Sequence, residues 1–359
     1  MSFKVTQSPS RVKTALNCSY KYYCSYIKKI PSKGNDGTRL GDSAHIILES
    51  LANNKRKEYV SKILEKGDIF AIQSVKHLAY KLIHRHKLDH EIFIPKLKDC
   101  VLNGLQSDFY GLEYGEPIAS YTEKDFLLEK EGMYKVRGFI DRMFVYKDGT
   151  VVIRDYKSSK SVYKGHEAST DNIQGADYSL AAREIIKEVE IKKIIVQFLF
   201  LQFDCSLESS WTKKIYRGKE TKDWEHNGGG RIILEYSPEE ISGFEYELQG
   251  YQNYLENFSE KSAEENFAAN QEYPTDGSFG GPLSCGRAKK LGELKKDGSL
   301  MFHCEYKFPF LYWHVLDAEN NFVISCFFEE REKLEEKYPP PFKWIEKQYS
   351  GCARFQKRG

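Results

Sequence analysis

Two aspartates with thirteen residues between them, in Gly138-Phe139-Ile140-Asp141-Arg142 and Asp155-Tyr156-Lys157, are the positions where this chain could do chemistry. Paired acids resist ionising together unless a cation neutralises them. Magnesium or manganese held by one or two carboxylates leaves room for waters and phosphate oxygens. Such an ion acidifies a bound water and offsets charge growing at phosphorus, while a nearby lysine positions that water or neutralises the leaving side. A solvated hairpin carrying ordinary surface charges would have the same residues. Asp141 lies inside the apolar run Phe139-Ile140 to Met143-Phe144-Val145, where a bare carboxylate needs a partner. Arg142 points to the other face and is poorly placed to be that partner. The hairpin alone leaves both readings open.

The elements that must position these residues are short and legible. Lys135–Tyr146 and Val151–Tyr156 are rich in β-branched and aromatic residues, with Asp148-Gly149 as the turn signal between them. If the loop is Lys147-Asp148-Gly149, Gly149 takes the left-handed conformation, Tyr146 faces Thr150 and Asp141 falls opposite Asp155. Their β-carbons are then about 5 Å apart. Lys157 follows on the same face, whereas a loop of two or four residues breaks this register.

Three further segments extend the pattern. Arg39-Leu-Gly41-Asp-Ser-Ala-His45-Ile-Ile-Leu-Glu49 reads as an apolar helix carrying a histidine. A lone histidine on such a face is commonly a hydrogen-bonded core residue. Gln174 and Tyr178 lie one turn apart on a helix that Asp171 or Asn172 caps. Ser8-Pro-Ser10 to Cys18-Ser-Tyr20 opens the chain as a further helix.

Taken in order, these motifs resemble the signature of the PD-(D/E)XK nuclease superfamily, in its RecB-like branch, over roughly residues 8 to 180. The resemblance implies an α/β fold: a central mixed β-sheet flanked by helices (a restriction-endonuclease-like core), with a helical insertion and a C-terminal extension. It implies that Asp141, Asp155 and Lys157 are catalytic, and that His45 joins Asp141 and Asp155 as a metal ligand for Mg2+ or Mn2+. Glu49, one helical turn on, would orient the histidine ring from behind. Gln174 and Tyr178 would contact the DNA backbone or the active-site lysine.

Eight cysteines occur, at 18, 24, 100, 205, 285, 304, 326 and 352, without a Cys-x-x-Cys pair. No secretory leader is read at the start, so a secreted disulfide framework and a zinc ribbon are not expected. Similar AddB-type and CRISPR-adaptation nucleases hold an iron-sulfur cluster through one N-terminal and three C-terminal cysteines. Cys18 and Cys304 match two of those positions, but Met301 and Phe310 stand at the outer two. Four thiolates are needed, so no iron-sulfur cluster is expected. Cys24 and Cys285 could restore the count only in another geometry. Apolar packing by Phe310, Tyr312 and Trp313 would fasten the C-terminal segment to the N-terminal helix instead.

The chain has 359 residues, 40% of them hydrophobic, enough for one elaborated domain or two coupled ones. The organisation expected is a nuclease core over 1–272, including a helical insertion at 50–118, and a C-terminal extension over 273–359 packed on the core. Strands are expected near 120–130, 134–146, 150–157, 193–204 and 231–236, a charged excursion over 208–231, and a hairpin over 312–328. The formal net charge is +2, so any nucleic-acid surface must be local. No membrane span is read, and a cytoplasmic, intracellular location is expected.

No Gly-x4-Gly-Lys-Ser/Thr loop occurs, so an in-chain motor is not expected. The activity expected is metal-dependent hydrolysis of DNA, by an exonuclease acting at ends or on single strands in replication, recombination or repair. Other recombination or replication proteins are candidate partners. A structure-specific or nicking endonuclease is the second reading, and a nucleic-acid-binding module with a decayed site the third.

Overall fold

The computed structural model describes residues 3–32, 34–216, 219–267, 285, 290–296, 298–301 and 303–356. In chain order the helices are α1 (Pro9–Asn17), α2 (Ser19–Tyr22), α3 (Asp36–Leu51), α4 (Lys57–Lys66), α5 (Gln73–Arg85) and α6 (His90–Gln106). Strands β1 (Ala119–Lys130), β2 (Tyr134–Val145) and β3 (Thr150–Lys157) precede α7 (Ile173–Ile185). They are followed by β4 (Lys193–Phe200), β5 (Asp204–Glu208), β6 (Trp211–Tyr216), β7 (Lys219–His226) and β8 (Gly229–Tyr236). The chain continues through α8 (Pro238–Glu256), α9 (Glu260–Glu265), β9 (Phe310–Leu316), β10 (Phe322–Phe327), α10 (Arg331–Glu335), β11 (Lys343–Tyr349) and α11 (Ala353–Gln356).

The chain divides into two compact units, Met1–Pro9 with Asp36–Glu256, and Ser10–Asn35 with Asn257–Gly359. This differs from the single boundary expected near residue 272. The N-terminal helices belong with the C-terminal segments because they share hydrogen bonds: the Ser19 amide donates to the Asn266 carbonyl, and Asn266 Nδ2 donates to the Leu16 carbonyl. Pairing across some 250 residues leaves no local trace in sequence.

The first unit is an α/β sheet structure of the expected class. Six strands run in the order β1-β2-β3-β4-β8-β5. The β3–β4 and β5–β8 pairs are parallel and the others antiparallel, which makes the sheet mixed. One face carries α7 and α8, whose Tyr178, Leu180, Phe244 and Leu248 bury against Met143, Val151, Ile153 and Val196. A second core joins α3, α4, α5 and α6 to Tyr156 and Leu199, so the predicted helical insertion is three packed helices. The tight turn at Phe203, whose amide donates to the Phe200 carbonyl, ends β4 sooner than expected. The expected excursion over 208–231 is an antiparallel hairpin, β6–β7, which its charged sequence did not announce.

The β2–β3 turn has the three-residue form. Gly149 has φ +90°, the Tyr146 amide donates to the Thr150 carbonyl, and the ladder runs Val145–Val151 to Arg142–Arg154. Extended by one residue, that register sets Asp141 against Asp155. The two arginines share the opposite face and are buried there. Arg154 donates to Gln197 and Asp108, while Arg142 lies 4.9 Å from the Phe109 and Phe144 ring centres.

The second unit holds a three-stranded antiparallel sheet, β10-β9-β11. Its core gathers Cys24, Ile30, Tyr306, Tyr312 and Tyr349, with Phe310 and Cys304 beside them. Phe310 and Tyr312 thus pack with the N-terminal helical segment as expected. Trp313 does not: it stacks on Phe328 and meets Trp344, because alternate strand residues face opposite ways. No disulfide joins the eight cysteines. Among the described residues, no helix is long and apolar enough to cross a membrane.

Candidate metal centre and catalytic residues

Helix α3 brings His45 to the sheet. Its close approach needs Gly41, since a β-carbon there would run into the Ser158 side chain. The ring is then fixed on both sides. Nε2 lies 3.0 Å from the Tyr156 carbonyl oxygen, to which it donates, and Nδ1 faces Asp141 Oδ1 at 3.6 Å. Burial alone would push this imidazole down, but the carboxylate of Asp141, with Asp155 behind it, pushes it up to about 9. Glu49, expected to orient the ring, is exposed; the Tyr156 carbonyl does that work, because it lies at the end of β3 directly beside the ring.

Asp141 is 8% exposed, and its Oδ2 accepts the Tyr156 amide at 2.7 Å. That contact closes β2 onto β3 through a side chain where the backbone ladder stops. Oδ1 remains directed at His45.

A third donor was not foreseen. Glu123 on β1 brings a carboxylate oxygen close enough that donor atoms of His45, Glu123 and Asp141 all lie within 4.8 Å of one another. Its φ is +48°, a left-handed conformation that a side chain seldom adopts. Burial, and then the charge of Asp141, push its carboxyl up to about 7.

Asp155 is 3% exposed and stands next to this set, not within it. Lys157 Nζ meets its Oδ2 at 2.5 Å, and Oδ1 accepts from Tyr178 Oη at 2.8 Å and Gln174 Nε2 at 3.0 Å. Gln174 Oε1 accepts from Lys157 Nζ at 2.6 Å, and its amide also donates to Tyr178 Oη at 2.6 Å. Burial pushes the Asp155 carboxyl up while Lys157 pulls it down; Asp155 holds Lys157 above the usual lysine range despite burial. The two form a buried ion pair, with the proton on Lys157.

The structure therefore gathers His45, Asp141, Asp155, Lys157, Gln174 and Tyr178 around one sheet end. It gives Gln174 the lysine contact that was one of the two expected, and sets the Tyr178 hydroxyl against Asp155 rather than the lysine. Tyr178 is 3% exposed with its hydroxyl committed to Asp155, so it supports the acid from beneath. Asn172 caps α7 through the Gln174 and Gly175 amides, which fixes where Gln174 starts.

The donor chemistry fits a hard divalent cation. A neutral ring with its proton on Nε2 leaves the Nδ1 lone pair facing Asp141, and a cation would offset the burial and the Asp141 charge that raise Glu123.

A family model for the PD-(D/E)XK nuclease superfamily matches residues 6–285. No curated protein matches the chain.

Proposed function

The chain belongs to the PD-(D/E)XK nuclease superfamily, and we propose on that premise that it is a divalent-metal-dependent deoxyribonuclease working from His45, Glu123, Asp141, Asp155 and Lys157. The observation that carries this reading is the convergence of three donor side chains within 4.8 Å, next to a lysine held by Asp155 and Gln174. Magnesium or manganese bound there would supply Lewis acidity and a more acidic water.

The chain's own residues do the rest. His45, Glu123 and Asp141 would hold the cation. Lys157 donates to the scissile phosphate or to the attacking water, and Gln174 keeps its ammonium aimed. Asp155 neutralises Lys157 before substrate arrives, and its carboxylate, beside the donor set, would be available to the cation as a further ligand. Tyr178 keeps that carboxylate from turning away.

Within the superfamily we assign the chain an exonuclease activity on DNA ends or single strands, in replication, recombination or repair. The support is from sequence: no Gly-x4-Gly-Lys-Ser/Thr motor motif accompanies the site in this sequence. With Met301 and Phe310 at two of the relevant positions, we also assign it no iron-sulfur cluster, which an iron assay on anaerobically purified protein tests. Manganese-dependent digestion of linear and circular single strands separates exonuclease from endonuclease. Release of short products from linear DNA with circles intact supports the first; cut circles support the second.

A further inference from the structure

We propose that the β6–β7 hairpin is an arm that docks single-stranded nucleic acid leading to or from Lys157. The inference rests on the nuclease reading of that site and adds a surface to it.

One face of the hairpin is aromatic and cationic together. The register pairs Trp211 with His226 and Lys213 with Trp224, and side chains of paired residues share a face. Lys164 Nζ sits 3.2 Å from the Trp211 ring centre, and Lys213 Nζ lies 5.9 Å from that of Trp224. Trp224 is 53% exposed and Ile215 73% exposed, large values for apolar groups on a structured element. The segment Trp211–His226 carries five basic residues and three acidic ones. Glu220 is the acidic neighbour on this face and pairs with Lys213 at 2.9 Å.

A chain of packed rings through the buried Phe198 links the hairpin to the candidate site. Lys157 Nζ lies 5.6 Å from the Phe198 ring centre, Phe198 meets Tyr163 at 5.3 Å, and the next residue, Lys164, covers Trp211. Trp211 in turn packs on His226 at 4.5 Å. A strand with a phosphate at Lys164 would pass Trp211 and then Trp224 along this face.

A single strand is the occupant this chemistry suits. The exposed Trp224 ring offers stacking to any base, and adjacent lysines offer charge to its phosphates. An apolar protein partner would gain little from lysines lying over the same rings. With a net charge of only +2, the attraction must come from such a local set.

The test is fluorescence anisotropy with a labelled oligothymidylate of about 20 nucleotides, longer than the ~4–16 that one binding module covers. EDTA is present so that nothing is cut. The full-length protein should bind, Trp224→Ala should weaken binding about fivefold or more, and Trp224→Phe should restore most of it. Both variants alter an exposed side chain, and circular dichroism checks that the fold is kept. Equal affinity of Trp224→Ala and wild type, or no binding by wild type, overturns the proposal. So does a shift of Trp224→Ala to a smaller species in sedimentation, which would make the face a contact between copies. Manganese assays on the same proteins separate the two readings. Hairpin-dependent binding without cleavage sinks the nuclease reading alone, and cleavage with Trp224-independent binding sinks the arm alone.

Discussion

Glu123 and Asp141 face each other where the β1–β2 ladder skips a step. Pairing runs through Thr122–Arg142, resumes at Lys124–Ile140, and leaves these two acids as the unpaired position between, with Glu123 at φ +48°. Strain of about 1–3 kcal/mol at such a residue persists only if its surroundings enforce it. Here the result is a carboxylate turned toward His45 and Asp141.

Manganese affinity should therefore weaken as pH falls below about 9, and more steeply below about 7. Without a cation, Glu123 holds its proton up to about 7 and His45 up to about 9, and both must lose it to act as ligands. The drop should be about tenfold per pH unit for each proton displaced. Calorimetry in buffers of different ionisation enthalpy reads both affinity and proton release; binding that is flat from pH 6 to 8 contradicts the assignment.

The same shifts set the stability of the cation-free protein. Both groups have raised values, so each stabilises fully below its unfolded value and loses that contribution as pH rises through its folded value. For Glu123 the window runs from the ordinary carboxylate range to about 7, and for His45 from the ordinary imidazole range to about 9. Thermal melts in EDTA should fall between pH 6 and 9, and added manganese should recover most of the loss. Glu123→Gln should blunt that recovery by at least about tenfold in manganese affinity while keeping the fold.

Tyr178→Phe and Gln174→Ala should lower kcat by about 10- to 100-fold with little change in KM for DNA, because these residues hold Asp155 and Lys157 and do not reach substrate. Steady-state kinetics decides it. A raised KM with kcat intact would give both residues the DNA-backbone contact, one of the two roles read from sequence.

Asp177 on α7 is 1% exposed, and neither carboxylate oxygen has a hydrogen-bond partner. Burial pushes its carboxyl well above the usual range, so it destabilises the fold progressively as pH rises above that range. Asp177→Asn should stabilise the protein at pH 7 by roughly 1–3 kcal/mol, and the difference should vanish near pH 4. Urea titrations at the two pH values measure it; an equal effect at both would place the cause elsewhere.

Much of this was legible in the sequence, and the reasons differ by residue. The Asp141–Asp155 register followed from period-two patterning and the Asp148-Gly149 turn, which are local. Glu123 was missed although a signal existed: closing the preceding hairpin at Lys130–Tyr134, around Glu131-Gly132, counts Glu123 opposite Asp141. Its left-handed backbone has no sequence mark, since no glycine stands there. The β6–β7 hairpin was missed because charge hides its alternation. Tyr178 looked like a phosphate donor because helical spacing shows which residues share a face, not how deep that face is buried. The pairing of Ser19 with Asn266 is long-range and carries no pattern at either end.

The most direct measurement is manganese-dependent hydrolysis of end-labelled single-stranded DNA by wild type and by Asp141→Asn, with and without EDTA. Asp141 ties together β3 through the Tyr156 amide, His45 through its ring and Glu123 through the donor set. The account predicts cleavage by wild type, none in EDTA, and a loss of at least about a thousandfold in Asp141→Asn with the fold retained. Cleavage that persists in excess EDTA, or turnover by folded Asp141→Asn near the wild-type rate, would contradict it.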